Sequence, residues 1–153
     1  MRTPVLVAVL ASVAACACHG GSSEERFTPL GADMIHDAHL GIVWTAGDRG
    51  MELSWHDADK YCRERSVGKR GETWRLPSSD ELASLFDPTT EQPCGKAALC
   101  RTDPAIDLST PYQWSATAPR PDRRVYGDLS VGTQLSPLIR PALTRGTLCV
   151  REE

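Results

Sequence analysis

Past residue 15 the sequence has no long apolar run, so nothing after that point reads as a membrane span. Histidine is scarce, with four in the chain, and no cysteine sits in a Cys-x-x-Cys pair, which removes the usual zinc spacing. His19 lies in a polar stretch and His36, His39 and His56 lie far from the cysteines in sequence, so no nucleophile is paired with a base and an oriented third group. His36 and His39 flank Asp37 around a tight turn, where such residues ordinarily face water, so no metal site is expected there. There is no internal repeat. The net charge of −3 argues against a general nucleic-acid binder. These absences leave a binding or structural module as the expectation, and not an enzyme.

What is present begins with Arg2 and the apolar run "VLVAVLASVAA", a secretory signal by layout and too short to cross a bilayer. It ends in Val13-Ala14-Ala15-Cys16, which resembles a bacterial lipobox, with Cys16 receiving the lipid. An ordinary signal-peptide cut near Ala15 or Ala17 is the alternative, and Cys18 offers a poorer second register. The expected organisation is a signal peptide over 1–15, a lipidated Cys and flexible Gly/Ser-rich tether over 16–30, and one domain over 31–153. The chain is therefore expected to be exported and held at the cell envelope by a lipid anchor only, on a periplasmic or surface face.

Six cysteines in an exported chain read as a disulfide framework. With Cys16 lipidated and Cys18 beside the anchor, Cys62, Cys94, Cys100 and Cys149 remain, and they allow three pairings. Cys94 and Cys100 flank the short "GKAAL", where a local bridge is easy; Cys62 then pairs with Cys149, tying a helix to the last strand. On the loop-entropy account the long bridge contributes about 4–5 kcal/mol and the short one about 2.

Charge is unevenly spread. From Glu24 to Cys100 there are 14 acidic and 9 basic side chains; from Arg101 to Arg151 there are seven Arg and four Asp. Fourteen of the 17 basic residues are Arg. GC-rich coding accounts for that bias as readily as selection does. The sharper reading is an anion-binding face in the second half, because guanidinium forks suit sulfate and carboxylate oxygens. "APRPDRRVYG" puts Arg120, Arg123 and Arg124 together on an expected hairpin loop, with Arg101, Arg140 and Arg145 in neighbouring loops. Tyr112 and Tyr126 offer faces for sugar rings, whereas Trp114 reads as core.

Local patterns place the elements. "DMIHDAHLGIVWT" reads as two short strands about a turn at Asp37 to Gly41. "LSWHDADKYCRERSVG" reads as a helix capped by Ser54, with Leu53 stapling onto Ala58, a stripe of Trp55, Ala58 and Cys62, and a stop at Gly68. In "TWRLPSSDEL", Trp74 and Leu76 alternate as in a strand, Pro77 ends it, and Ser78 with Glu81 forms a capping box for a helix facing inward through Leu82, Leu85 and Phe86. Every residue of that stretch has a structural job. Asp87 to Tyr112 is a long irregular region. "YQWSAT", "RVYGDLSVG", "TQLS" and "TLCVR" read as closing antiparallel strands, with bends at Gly127 and Gly132.

The order "HDAHLGIVW", "SWHDADKYC", "WRLPSSDELASLFD", "DPAID", "YQWSAT", "LCVR" resembles the C-terminal domain of the collagen-like adhesin family, the Lcl C-terminal domain, across Asp33 to Arg151. Leu40, Ser78 and Ala116 depart mildly from the family pattern. The resemblance implies an α+β, C-type-lectin-like fold: two helices flanking a small twisted antiparallel sheet, closed by the Cys62–Cys149 disulfide. It also implies a surface ligand, an anionic glycan such as a sulfated glycosaminoglycan, with docking to another envelope protein as the alternative. The related formylglycine-generating enzymes use reactive cysteines, whereas the cysteines here are expected to be locked in disulfides, so that chemistry is not expected. Sugar-binding C-type lectins hold calcium through Glu-Pro-Asn and Trp-Asn-Asp elements, which are missing, so no cofactor is expected; Asp87, Glu91, Asp103 and Asp107 are the oxygen donors a calcium ion would need.

If Cys16 carries the lipid, Cys16→Ser releases the protein from the membrane fraction and abolishes fatty-acid labelling. Unchanged labelling of that variant moves the lipid to Cys18 or removes the anchor.

Overall fold

A computed structural model describes residues 25–65 and 72–153; Cys16, Cys18 and the helix stop expected at Gly68 lie outside the described residues. The elements in chain order are β1 (Phe27–Pro29), β2 (Met34–Asp37), β3 (Ile42–Thr45), β4 (Glu52–Ser54), α1 (Trp55–Glu64), α2 (Ser79–Ser84), β5 (Gln92–Cys94), β6 (Ala98–Cys100), β7 (Tyr112–Trp114), β8 (Tyr126–Asp128), β9 (Thr133–Leu135), β10 (Thr144–Gly146) and β11 (Val150–Glu152). Among the described residues, no helix is long and apolar enough to cross a membrane.

Sheets dominate. The strands fall into a four-stranded sheet ordered β1-β2-β3-β11, a five-stranded sheet ordered β4-β10-β7-β8-β9, and the two-stranded hairpin β5-β6. Three small sheets replace the single sheet expected from sequence. The closing strands are not all antiparallel, because β10 lies parallel to β7 at Gly146 and Gln113. Nor do they stay together, since β11 crosses to pair with β3. β1 also lies within the stretch expected to be tether. Phe27 is buried, and Phe27–Pro29 pairs with Ile35–Asp37.

β3 is buried on both faces, and this sets the layering. Ile42 and Trp44 enter a cluster with Phe27, Ile35, Leu82, Leu85, Leu129 and Val150. Val43 enters a second cluster with Ala58, Cys62, Trp74, Leu76, Trp114 and Cys149. α2 thus covers one cluster and α1 the other. Both helices start where their caps dictate. Ser54 Oγ accepts from the Asp57 amide, although the Asp57 carboxylate accepts a hydrogen bond from the Ser54 hydroxyl and does not return to a cap amide. Ser78 Oγ accepts from the Glu81 amide at 3.1 Å, and Glu81 accepts from the Ser78 amide at 2.6 Å, the complete reciprocal box.

The "WRLP" segment is a single bridge and not a strand: Arg75 exchanges both backbone bonds with Val150, and Trp74 and Leu76 are fully buried on either side. The Arg75 guanidinium holds both Glu81 oxygens at 2.8 Å and also reaches Glu152. Burial pushes the Glu81 carboxyl up, but the Arg75 hydrogen bonds and charge together with the Ser78 amide outweigh it and hold the group below the usual carboxylate range. Of the two glycines expected at bends, Gly132 is one, at φ +74° in the β8–β9 turn. Gly127 instead lies within β8 under Leu82, where a side chain would meet the helix.

Two disulfides close the fold. Cys62–Cys149 joins α1 to the chain entering β11, and Cys94–Cys100 staples the β5–β6 hairpin. Asp37, fully buried, does comparable work at the other side. It accepts from Arg26 Nε and Nη2 at 2.9 and 2.8 Å, from the Trp44 indole at 3.2 Å and from the His39 amide at 3.0 Å. Burial raises its pKa; the Arg26 and Trp44 hydrogen bonds, the Arg26 charge and the His39 amide pull harder, so the net shift is downward.

A carboxyl whose folded pKa is depressed stabilises the fold above its unfolded pKa and loses that contribution as pH falls through the folded one. Thermal melts should therefore fall on acidification below about pH 4. Asp37→Asn should lower stability near neutrality by about 3 kcal/mol, since it leaves Arg26 unpaired, and should flatten this acid limb. A variant that keeps the full acid dependence would show that the linkage lies elsewhere.

Candidate functional site

The segment expected to carry the anion-binding face is a turn laid against a second strand-like stretch. The Arg123 amide donates to the Arg120 carbonyl at 3.1 Å, the Ile139 amide to Asp122 at 2.9 Å and the Arg124 amide to Pro137 at 3.3 Å. This brings Arg120, Arg123 and Arg124 beside the stretch that runs into Arg140. Arg120 and Arg140 are exposed, and Arg123 and Arg124 are half-buried.

Two of the three Arg on this expected hairpin loop are engaged by the scaffold. Arg123 Nη1 donates to the Ser136 carbonyl at 2.6 Å, pinning the turn to its neighbour. Arg124 Nη1 donates to the Arg123 carbonyl at 2.8 Å and the Pro121 carbonyl at 3.2 Å, and its guanidinium lies 4.1 Å from the centre of the Trp55 ring. A half-buried guanidinium is more weakly hydrated than an ammonium and stacks well on an indole. The role of Trp55 was not legible in sequence, where it reads only as the first residue of a buried helical stripe. Its indole also donates to the Ser115 carbonyl at 2.8 Å.

Arg145, on β10, also lies against aromatic rings. It stands 4.4 Å from the Tyr126 ring centre and 5.3 Å from Tyr112, and the two tyrosines meet edge to face at 5.9 Å. Tyr126 is buried and only Tyr112 keeps a substantial exposed face. Trp114 is core, as its sequence position implied, with its indole donating to the Leu53 carbonyl at 2.8 Å.

The charge balance of this face is its distinguishing feature. Among the described residues, Arg65, Arg120, Arg123, Arg124, Arg140 and Arg145 take part in no ion pair, whereas Arg26, Arg49, Arg63, Arg75, Arg101 and Arg151 each hold a carboxylate; Arg65 lies instead against the Tyr61 and Trp74 rings, and the other five fall between Arg120 and Arg145. Arg101, grouped with the unpaired set by sequence, belongs with the paired one through Glu91. Arg49 pairs with Asp33. The arrangement offers guanidinium N–H groups that no carboxylate contacts among the described residues, and the five Arg of the segment outnumber its two acids, Asp122 and Asp128.

The residues match a known domain. Residues 33–137 fit the family model of the Lcl C-terminal domain. The chain belongs to that family. The matched span of the Lcl C-terminal domain ends at Pro137, so β10, β11 and Cys149 lie beyond it, and the likeness is shorter at its far end than the motif order implied. No curated protein and no solved structure matches the chain.

The carboxylates weighed for calcium are dispersed in this Lcl domain. Asp87 accepts from the Thr89 hydroxyl at 2.6 Å and its amide at 2.8 Å, which lowers its pKa. Asp103 takes the Ala105 amide at 2.8 Å, Glu91 faces Arg101, and Asp107 is exposed. Among the described residues no three His, Cys, Asp or Glu side chains form a metal-holding group. His36 faces Glu153 at 3.4 Å, and Asp37 is committed to Arg26.

The two kinds of Arg predict different outcomes on substitution. Arg124→Ser loses a stacked cation and its carbonyl bonds and should cost about 1–2 kcal/mol in urea unfolding. Arg120→Ser should leave the unfolding midpoint where it was. Equal effects of the two substitutions would contradict the division between scaffold and surface.

Proposed function

We propose that this Lcl domain is the non-enzymatic, ligand-binding module of an exported, lipid-anchored envelope protein, and that it binds an anionic glycan such as a sulfated glycosaminoglycan. The observation that carries the reading is the concentration on the segment from Arg120 to Arg145 of five of the six guanidinium groups that hold no carboxylate among the described residues. Sulfate and carboxylate oxygens accept well from such forks, and a local cationic patch attracts a polyanion in spite of the chain's net charge of −3. The family assignment supports an adhesin-like role outside the cytoplasm, and two disulfides suit an oxidising compartment. The two-helix arrangement about small sheets is consistent with a C-type-lectin-like fold, which we adopt as part of the same reading.

Docking to another envelope protein is the second reading. It is favoured by the exposed apolar side chains of Val131, Leu135 and Leu138 along the β9 edge.

Retention on immobilised heparin tests the first reading. The wild-type domain should be retained at low salt and released well below molar salt, because exposed charge is screened over about 8 Å at physiological ionic strength. Arg120→Ser with Arg140→Ser should abolish retention while the melting temperature stays in place, since both side chains are exposed and unpaired. A wild-type domain that flows through at low salt removes the glycan reading and leaves protein docking in front.

A further inference from the structure

Beside Tyr112 lies a groove of about 520 Å³ between the β5–β6 hairpin and the start of β7. Gly50, Glu52, Gly95, Lys96, Ser109 and Tyr112 are among the residues lining it. Its walls are fixed by a close backbone approach, a tight turn and a disulfide. Gly95, at φ +75°, lets the stapled hairpin approach so closely that a Cβ there would stand 2.2 Å from the Ser109 carbonyl oxygen. The opposite wall follows a tight turn in which Met51 donates to the Asp48 carbonyl and both Arg49 and Gly50 have positive φ, at 53° and 73°. For Arg49, which carries a Cβ, that conformation is strained.

Asp48 joins the two walls. It is 1% exposed and accepts from the Gly50 amide at 3.0 Å, the Ser109 amide at 3.0 Å and the Gln113 side-chain amide at 2.7 Å. No cation pairs with it among the described residues. A buried carboxylate served only by neutral donors, a strained turn and a disulfide converge on one groove, and such strain persists where the surroundings over-determine it and collects at ligand sites.

The groove's own chemistry selects the ligand class. Tyr112, 39% exposed, presents an aromatic face at the rim. The Glu52 carboxylate and Lys96 ammonium are exposed and take part in no ion pair, and the Ser109 hydroxyl makes no hydrogen bond, among the described residues. Acceptor and donor groups spaced around an aromatic face suit a ring that carries hydroxyls on its edge and C–H groups on its face. We infer that this groove is a saccharide subsite, in which an uncharged pyranose unit stacks on Tyr112 and shares its hydroxyls with Glu52, Lys96 and Ser109. The inference rests on the glycan-binding reading and adds to it a contact that does not depend on charge.

The test is titration of the ¹⁵N-labelled mature protein with maltose, cellobiose and N,N′-diacetylchitobiose, each at low salt and at about 1 M NaCl, where the Debye length is about 3 Å. At least one of these sugars should move the amide signals of Gly50, Gly95, Lys96, Ser109 and Tyr112 saturably, and to the same extent at both salt concentrations. Tyr112→Ala should weaken that binding by about tenfold or more, Tyr112→Phe should retain it, and Glu52→Gln should weaken it with the melting temperature unchanged. No saturable shift with any of the three sugars overturns the subsite, as does full binding by a folded Tyr112→Ala. Loss of the subsite alone, with salt-sensitive heparin retention intact, leaves the cationic face standing; loss of both removes the glycan reading itself.

Discussion

The regular elements of this protein are very short. Most strands have three residues, and α2 has six. Backbone ladders of that length leave much of the chain's polar backbone in loops, and a buried loop must find hydrogen bonds elsewhere. The Asp37 carboxylate meets that constraint at the base of the fold. Its partner Arg26 continues to the Ser84 carbonyl at 2.6 Å, so one guanidinium ties β1 and β2 to the end of α2, while the Trp44 indole fastens β3 to the same carboxylate. With that pair in place the α2 cluster can close over β3. The pair is almost fully desolvated on the acid's side, so its geometry has to be well satisfied to be tolerated at all.

The same solution recurs wherever loops pass under the surface. Gln92 Nε2 donates toward Thr102, Asp103 and Ile106, holding the coil after β6. Gln113 Nε2 donates to both Asp48 and the Thr110 carbonyl, while its Oε1 is buried and meets no donor among the described residues. Gly146 is obligatory there, because a Cβ would fall 2.3 Å from the Gln113 side chain. The parallel contact of β10 with β7 therefore exists only because a glycine meets a glutamine across it.

These pairings explain what was legible in the sequence. The helix starts were readable because a cap is a local event: Ser54 and Ser78 announce themselves by the acid three residues later. The β2–β3 hairpin was readable from its apolar residues, and the core tryptophans from their neighbours. The strand order was not, since the crossing of β11 to β3 is decided by residues a hundred positions apart. Gly127 was mistaken for a bend because a glycine packed beneath Leu82 and a glycine in a turn look alike in one dimension. Arg123 and Arg124 read as free charges for a related reason. Nothing adjacent to them in sequence reveals Ser136 or Trp55 as partners. The "AGDRGMEL" loop gave no hint that Asp48 reaches Ser109 and Gln113, a contact visible only after both loops are folded.

Tyr112 is the point at which the two faces meet. One side of its ring receives Arg145 and the edge of Tyr126, and its exposed part borders the groove. The guanidinium draws on the ring's negative face and fixes its orientation, so the aromatic surface offered to the groove is already ordered before any ligand arrives. A glycan lying across that ring would meet two kinds of physics within one chain contact. Its acidic groups would feel the unpaired Arg segment through a field that decays over a Debye length and accelerates encounter. Its ring atoms would feel only the short-range contacts of the groove, which salt leaves in place. Charge at the Arg segment would then set how often the polymer arrives, and the rigidity supplied by Asp48, Gly95 and the Cys94–Cys100 disulfide would set how well one sugar fits once it has arrived.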